Sequence, residues 1–160
     1  PLFQKCPMTD LVKNPDSNKG GGKRIEVCPV HLVDDIDFAS PASVTFAEGG
    51  RWFSLYLTPE TISWNFGTGD NGGSQFVTPE ASGKYPNYTA AAARALERMK
   101  QYRYFLVKVT DNNGLSHLAG TLENPMEFDY SFSAGSNSKN FRGFNLSFKG
   151  KQEKTVPRIL

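Results

Sequence analysis

The stretch EFDYSFSAGSNSKNFRGFNLSFKGKQEK, Glu127 to Lys154, carries the clearest pattern in the chain. Phe128, Tyr130 and Phe132 alternate with Asp129, Ser131 and Ser133, and Phe144, Leu146 and Phe148 alternate with Asn145, Ser147 and Lys149. A period of two sends successive side chains to opposite faces, so each arm predicts a half-buried strand. Between them, AGSNSKN at Ala134 to Asn140 is turn chemistry, because glycine accepts positive φ and Ser and Asn side chains bond nearby backbone. The stretch therefore predicts a hairpin with one face for a core and a Ser/Asn face turned outward, on which Asn145 and Ser147 are candidate interface residues.

Other segments extend the pattern. YFLVKVT is apolar almost throughout, which suits a central strand, and DNNG at Asp111 to Gly114 is a hairpin turn before LSHLAGTL returns. TAAAARALERMKQY is the one helical pattern, expected over about residues 89–103 with Thr89 as N-cap and Ala92, Leu96, Met99 and Arg103 on one stripe. RWFSLYLTPETISWNF predicts two strands joined by a turn at Thr58 to Thr61, with Pro59 at the turn's second position. Phe53, Leu55 and Leu57 share one face of the first strand, and Ile62, Trp64 and Phe66 one face of the second. IEVCPVHLV reads as the first strand of the fold, with Pro29 marking an edge or a bulge, and SVTF as a short one. The segment from Gly67 to Tyr88 is rich in glycine and has two prolines, so it reads as a long loop or a wide hairpin reaching a partner. Tyr85 and Tyr88 within it are candidate contact aromatics.

Seven to nine strands and one helix without βαβ order predict a mainly β fold: an antiparallel β-sandwich or partly closed barrel with one packed helix. The 160 residues suit a single domain, divided into an extended arm at 1–24, a sandwich with helix at 25–154 and a C-terminal tail at 155–160. Leu2, Phe3, Met8 and Leu11 lie in an arm too rich in Pro and Gly to form its own core, so they are candidate interface residues that dock elsewhere.

The net charge of +2 is too small to argue for nucleic-acid binding, but it is unevenly spread. Lys139, Arg142, Lys149, Lys151, Lys154 and Arg158 make a basic end, whereas Asp34, Asp35 and Asp37 form an acidic knot. No run of about 18 apolar residues predicts a membrane helix. A signal-peptide pattern is also missing from the start, which leaves open that one was removed, and Pro1 suits either a cytoplasmic product that has lost its initiator Met, the expectation preferred, or a trimmed chain.

Known chemistry fits poorly. GGGKRI places Arg24 where a phosphate-binding loop needs a hydroxyl, and no helix pattern follows. GTGDNGG offers too few oxygens for calcium. Cys28 and His31, with Cys6, give three zinc ligands without a fourth, and residues three apart on a strand face opposite ways. The two cysteines could instead form one bridge. His117 has no nucleophile paired with it by spacing, and the carboxylates are scattered. No catalytic residue, cofactor or metal is expected.

The order of a helix, YFLVKVTDNNG, SHLAGT, ENPMEFDYSFSAGSN and FRGFNLSFKGKQEK, over Tyr102 to Lys154, resembles small structural proteins of tailed bacteriophages of Bacteroidetes-type hosts, particularly tail and baseplate components. LVKNPDSNKGGGKRIEV carries a weaker echo. The resemblance implies a tail-tube-like sandwich with a flanking helix, located in the virion and assembled in rings or tubes with copies of itself and other virion proteins. On that reading Asp34, Asp35 and Asp37 line a lumen through which DNA passes, since negative walls repel phosphate. The competing expectation is a monomeric carbohydrate-binding sandwich using loop aromatics.

Overall fold

The computed structural model describes residues 21–39, 41–86, 88–137, 139 and 142–160. Ten strands and one α-helix follow in order: β1 (Gly22–Pro29), β2 (Val33–Asp37), β3 (Ser43–Phe46), β4 (Phe53–Leu55), β5 (Ser63–Asn71), β6 (Ser74–Pro86), α1 (Ala90–Tyr102), β7 (Tyr104–Asp111), β8 (Ser116–Ala119), β9 (Met126–Ser133) and β10 (Gly143–Lys149). All strand pairs are antiparallel, so the mainly β, antiparallel fold with one helix is as the sequence predicts. Eight strands form one sheet in the order β4-β1-β7-β9-β10-β6-β5, with β8 also on β7.

That sheet doubles over. β7 pairs with β9 only at Tyr104–Glu127 and Phe105–Met126, then leaves it and pairs with β8 from Val107 to Thr110. The parting creates a back leaf, β4-β1-β7-β8, and a front leaf, β9-β10-β6-β5. Between them lie Ile25, Val27, Phe105, Val107 and Val109 from the back and Phe128, Phe144, Leu146, Phe148 and Ala81 from the front, all buried. Phe105, Phe128 and Phe148 meet at centroid distances of 5.0 to 5.9 Å in tilted or edge-on arrangements, the geometry aromatic rings prefer. Closure is partial: the Gly22 amide donates to the Ile62 carbonyl at 3.0 Å, and Trp64 of β5 stacks on His117 of β8 at 6.0 Å.

A second core lies outside the back leaf. Cys28, Leu106 and Leu118 point outward there and are fully buried, because β2, β3, Trp52 and Ile159 cover them. Burial pushes the Cys28 thiol up, and a backbone hydrogen bond from Arg51 offsets this only in part. The C-terminal residues strap the covering down. Gln152 exchanges backbone bonds with Val77 at 2.7 and 2.8 Å, the Leu118 amide donates to Pro157, and the Ala42 amide donates to Arg158. The Gln152 side chain is buried with both ends bonded, accepting from the Gly120 amide at 2.9 Å and donating to the Lys154 carbonyl at 2.8 Å. Residues 155–160, set apart by sequence as a tail, are thus part of this strap.

Helix α1 seats Leu96 in the central core and half-buries Ala92, Ala93 and Met99. Thr89 caps it, its Oγ1 accepting from the Ala92 amide at 3.0 Å. Arg103, expected on the apolar stripe, instead ends the helix at φ 67°, with its Nε bonded to Glu127 at 3.1 Å.

Other details differ from the sequence reading. The strand at Phe53 does not form a hairpin with the strand after Thr61. The turn itself exists, with Glu60 at φ 66° after Pro59, but β4 pairs with β1 whereas β5 pairs with β6. Pro29 marks neither an edge nor a bulge: it ends β1, which runs between β4 and β7, and the irregularity falls at Gly22/Arg24. The glycine-rich region takes the hairpin alternative and not the loop, in regular pairing from Ser63 to Pro86, and among the described residues the strands number ten against the seven to nine expected.

Candidate functional site

The outer face of the front leaf is built by the alternation of four strands. Register places Asp129, Ser147, Ser82 and Ser63 in one cross-strand row, Ser131, Asn145 and Lys84 in a second, and Glu127, Lys149, Glu80 and Asn65 in a third. The short Ser and Asn side chains leave a shallow polar depression of 270 Å³, with Thr61 and Lys84 on its border. Charges on it balance locally: Lys149 reaches Glu80 at 3.8 Å, and Lys100 from α1 reaches Asp129 at 3.2 Å. That bond and the Tyr130 amide hold the Asp129 carboxyl below the usual carboxylate range. Among the described residues no strand or helix covers this face.

Asn145 and Ser147 therefore share the outward face that their alternation predicts, both half-buried. Sequence reading did not find their neighbours Ser82 and Lys84, because β6 alternates Thr, Glu, Ser and Lys with Pro, Ala, Gly and Tyr rather than with large apolar residues. Those inner residues are small for a reason. Ala81 lies in register with Phe148 and Trp64, and a Cβ on Gly83 would sit 2.6 Å from Leu57.

At the end of the same leaf, aromatic rings form a row. Tyr56 meets Tyr85 at 6.4 Å, Tyr85 meets the buried Phe144 at 6.5 Å, Tyr88 stacks on Phe144 at 5.7 Å, and Phe132 packs on both Tyr88 and Phe144. Tyr56, Tyr88 and Phe132 are 72%, 51% and 43% exposed. The candidate contact residues Tyr85 and Tyr88 are thereby brought together, although Tyr85 lies on a strand and not in a loop. Phe132 and Tyr56 complete the row: Phe132 continues the apolar alternation of Phe128 and Tyr130 past the edge of the core, whereas Tyr56 falls between Leu55 and Leu57, off the apolar alternation, and gave no sequence signal.

Asp34, Asp35 and Asp37 are all exposed on β2, which belongs to the covering of the back leaf and lies across the molecule from the bare face. Pairing skips from Val33 to Asp35, and this bulge lets Val33 and Ile36 both point inward while the aspartates point out. Leu2, Phe3, Met8, Leu11 and Cys6 lie outside the described residues.

Among the described residues, the groups that sequence had considered for chemistry sit in separate surroundings. Cys28 is buried under the covering whereas His31 is exposed against the Tyr102 ring, and among the described residues no three His, Cys, Asp or Glu side chains gather. His117 is half-buried between the Trp64 ring and Asp111, whose Oδ2 lies 3.4 Å from its Nε2. Asp111 Oδ1 meanwhile accepts from the Asn113 and Leu115 amides and shapes the β7–β8 turn. No helix among the described residues is long and apolar enough to cross a membrane. Comparison of the chain with models of protein families, with curated proteins and with solved structures returned no match.

Proposed function

We propose that this protein is a non-enzymatic structural subunit of a tailed-phage virion, in the tail, neck or baseplate, that assembles with copies of itself and other virion proteins into a ring or tube. The observation that carries the reading is the uneven treatment of two sheet faces. The chain covers the back leaf with its own strands and strap, whereas the described residues leave a four-stranded, charge-balanced Ser/Asn face open on the front leaf. Such a face is soluble in a free subunit and offers hydrogen-bond donors and acceptors to a neighbour, which suits a surface exposed before assembly and buried after it. With the front leaf toward neighbouring subunits, Asp34, Asp35 and Asp37 are available to a lumen that passes DNA. Light scattering and negative-stain microscopy of the purified protein test the reading: rings or tubes support it, and a monomer at all concentrations rejects it.

The row of exposed Tyr56, Tyr88 and Phe132 around the half-buried Tyr85 favours a second reading, a carbohydrate-binding module. Tyr88 has one face against Phe144 and is half exposed, as a ring that stacks on a sugar must be. A monomer retained on immobilised polysaccharide, and released by Tyr88→Ala, supports that reading over assembly.

A further inference from the structure

We infer that the outer edge of β5 is a self-pairing edge, which joins two copies of this chain through antiparallel β5–β5 contact about a two-fold axis at Gly67. This goes beyond the ring reading and does not need it, since a binding module could dimerise in the same way.

The directions of the backbone groups on β5 follow from its pairing. Val77 exchanges both of its backbone bonds with Gln152, so its amide and carbonyl point away from β5. Thr68, opposite Val77, must then point its own amide and carbonyl away from β6. Alternation gives Trp64, Phe66 and Asp70 the same outward direction, and the Ile62 carbonyl, in the same phase, is indeed taken by the Gly22 amide. Beyond Ile62, no described residue pairs with this edge. Pro79, opposite Phe66, fits the phase, because that position needs no amide toward β5.

Edge strands are ordinarily protected by lysine, proline, a bulge or shortness. β5 has none of these: it runs nine residues in unbroken register, SWNFGTGDN, and its one charge is Asp70. The other outer edges differ. β4 is three residues long, and β8 is capped where the Leu118 and Ile159 amides bond to Pro157 and Ser116. β5 also carries Phe66, 47% exposed on the core side of the strand.

A second β5 is the occupant that these features fit. With Gly67 opposite its own copy, Phe66 falls opposite Thr68 and Trp64 opposite Asp70, so the residues with outward amides and carbonyls are the ones that meet as hydrogen-bonded pairs. No like charges are opposed, because each Asp70 faces a tryptophan. Phe66 gains an aromatic to β-branched cross-strand partner in Thr68. Gly67 occupies the non-hydrogen-bonded position on the axis, where backbones approach most closely, which accounts for a glycine in the middle of a strand.

Two substitutions read the contact directly. Across the axis the two Gly67 Cα atoms stand about 4.5 Å apart, within disulfide reach, whereas two Asn65 Cα atoms are offset by about 13 Å. In a Cys6→Ser background, Gly67→Cys should therefore oxidise to a covalent dimer and Asn65→Cys should not. A Cβ at Gly67 meets only Thr78 Oγ1, at 3.4 Å, so the first variant keeps its fold. Thr68→Pro removes an amide that β6 does not use, so it should leave the melting profile near that of the parent and weaken dimerisation by more than about tenfold in analytical ultracentrifugation. Phe66→Lys, at an exposed site, should do the same if the proline variant fails to fold. Efficient cross-linking at Asn65, or parent-like dimers in folded Thr68→Pro and Phe66→Lys, overturns the inference. So does a parent protein monomeric at every concentration, whether its edge stays open or is taken by residues 1–20 of the same chain. Weakened dimers in variants that still form rings would support the edge contact and leave the ring reading intact.

Discussion

The two outer faces of the sandwich have the same pleat and opposite surroundings. Behind the back leaf, Cys28, Leu106 and Leu118 lie under β2, β3 and the C-terminal strap; on the front leaf, Ser63, Asp129 and Ser131 are exposed, and Asn145, Ser147 and Ser82 half so. Alternation makes a strand two-sided, but whether the second side is covered depends on what stands there. Large apolar residues at outward positions require a covering layer, and the chain supplies one from distant segments. Small polar residues do not, and the described residues leave them open.

The largest test of that contrast is stability on the covered side. Leu106→Ala and Leu118→Ala should each cost about 2–5 kcal/mol in denaturant melts, since both side chains are fully buried. Ser82→Ala and Ser147→Ala on the bare face should stay within about 0.5 kcal/mol. Comparable losses on both faces would mean that the bare face contributes to the fold as the covered one does. A smaller effect concerns what holds the covering in place. Gln152→Ala strips the Gly120 amide of its partner in a buried site and should cost about 1–3 kcal/mol. A loss near zero would mean that the strap follows the fold without securing it.

The hairpin of β9 and β10 was legible because its inner residues are Phe, Tyr and Leu and its outer ones Ser, Asn, Asp and Lys. The helix was equally plain, through Thr89 and the spacing of Leu96 and Met99. β6 was not, although it belongs to the same leaf. Its inward positions hold Pro79, Ala81 and Gly83, cut down to admit Phe148, Trp64 and Leu57, and a strand with small inner residues looks like a loop. The partner of β4 was also hidden, since a tight turn at Thr58 to Thr61 suggests a hairpin, and only the packing of Leu57 against Gly83 shows that the chain crosses between leaves there. Half of the bare face could thus be read from β9 and β10, and the other half lay in a segment whose pattern was masked by its own fit.

The smallest expected effect is electrostatic. The folded-state value of Asp129 lies below its unfolded one, so its contribution is present above the unfolded carboxylate range, about 3.9, and is lost as pH falls through the lower folded value. The group is on the open surface, so water screens the pair and Asp129→Asn should change stability at neutral pH by at most about half a kcal/mol. It should also flatten the acid limb of the stability profile below pH ~4. A larger change at neutral pH would mean that the bare face holds the subunit together as the covered one does.

On the proposed function the bare face is kept open for a neighbour, and arginine substitution there tests this most directly. Asn145→Arg and Ser147→Arg place a charge among balanced groups on an uncovered surface, which a lone subunit tolerates but a buried interface does not. Light scattering and negative-stain microscopy, run beside thermal melts on the same samples, should show both variants melting like the parent protein while failing to form the assemblies that the parent forms. Arginine variants that melt normally and still assemble as the parent does would contradict the account.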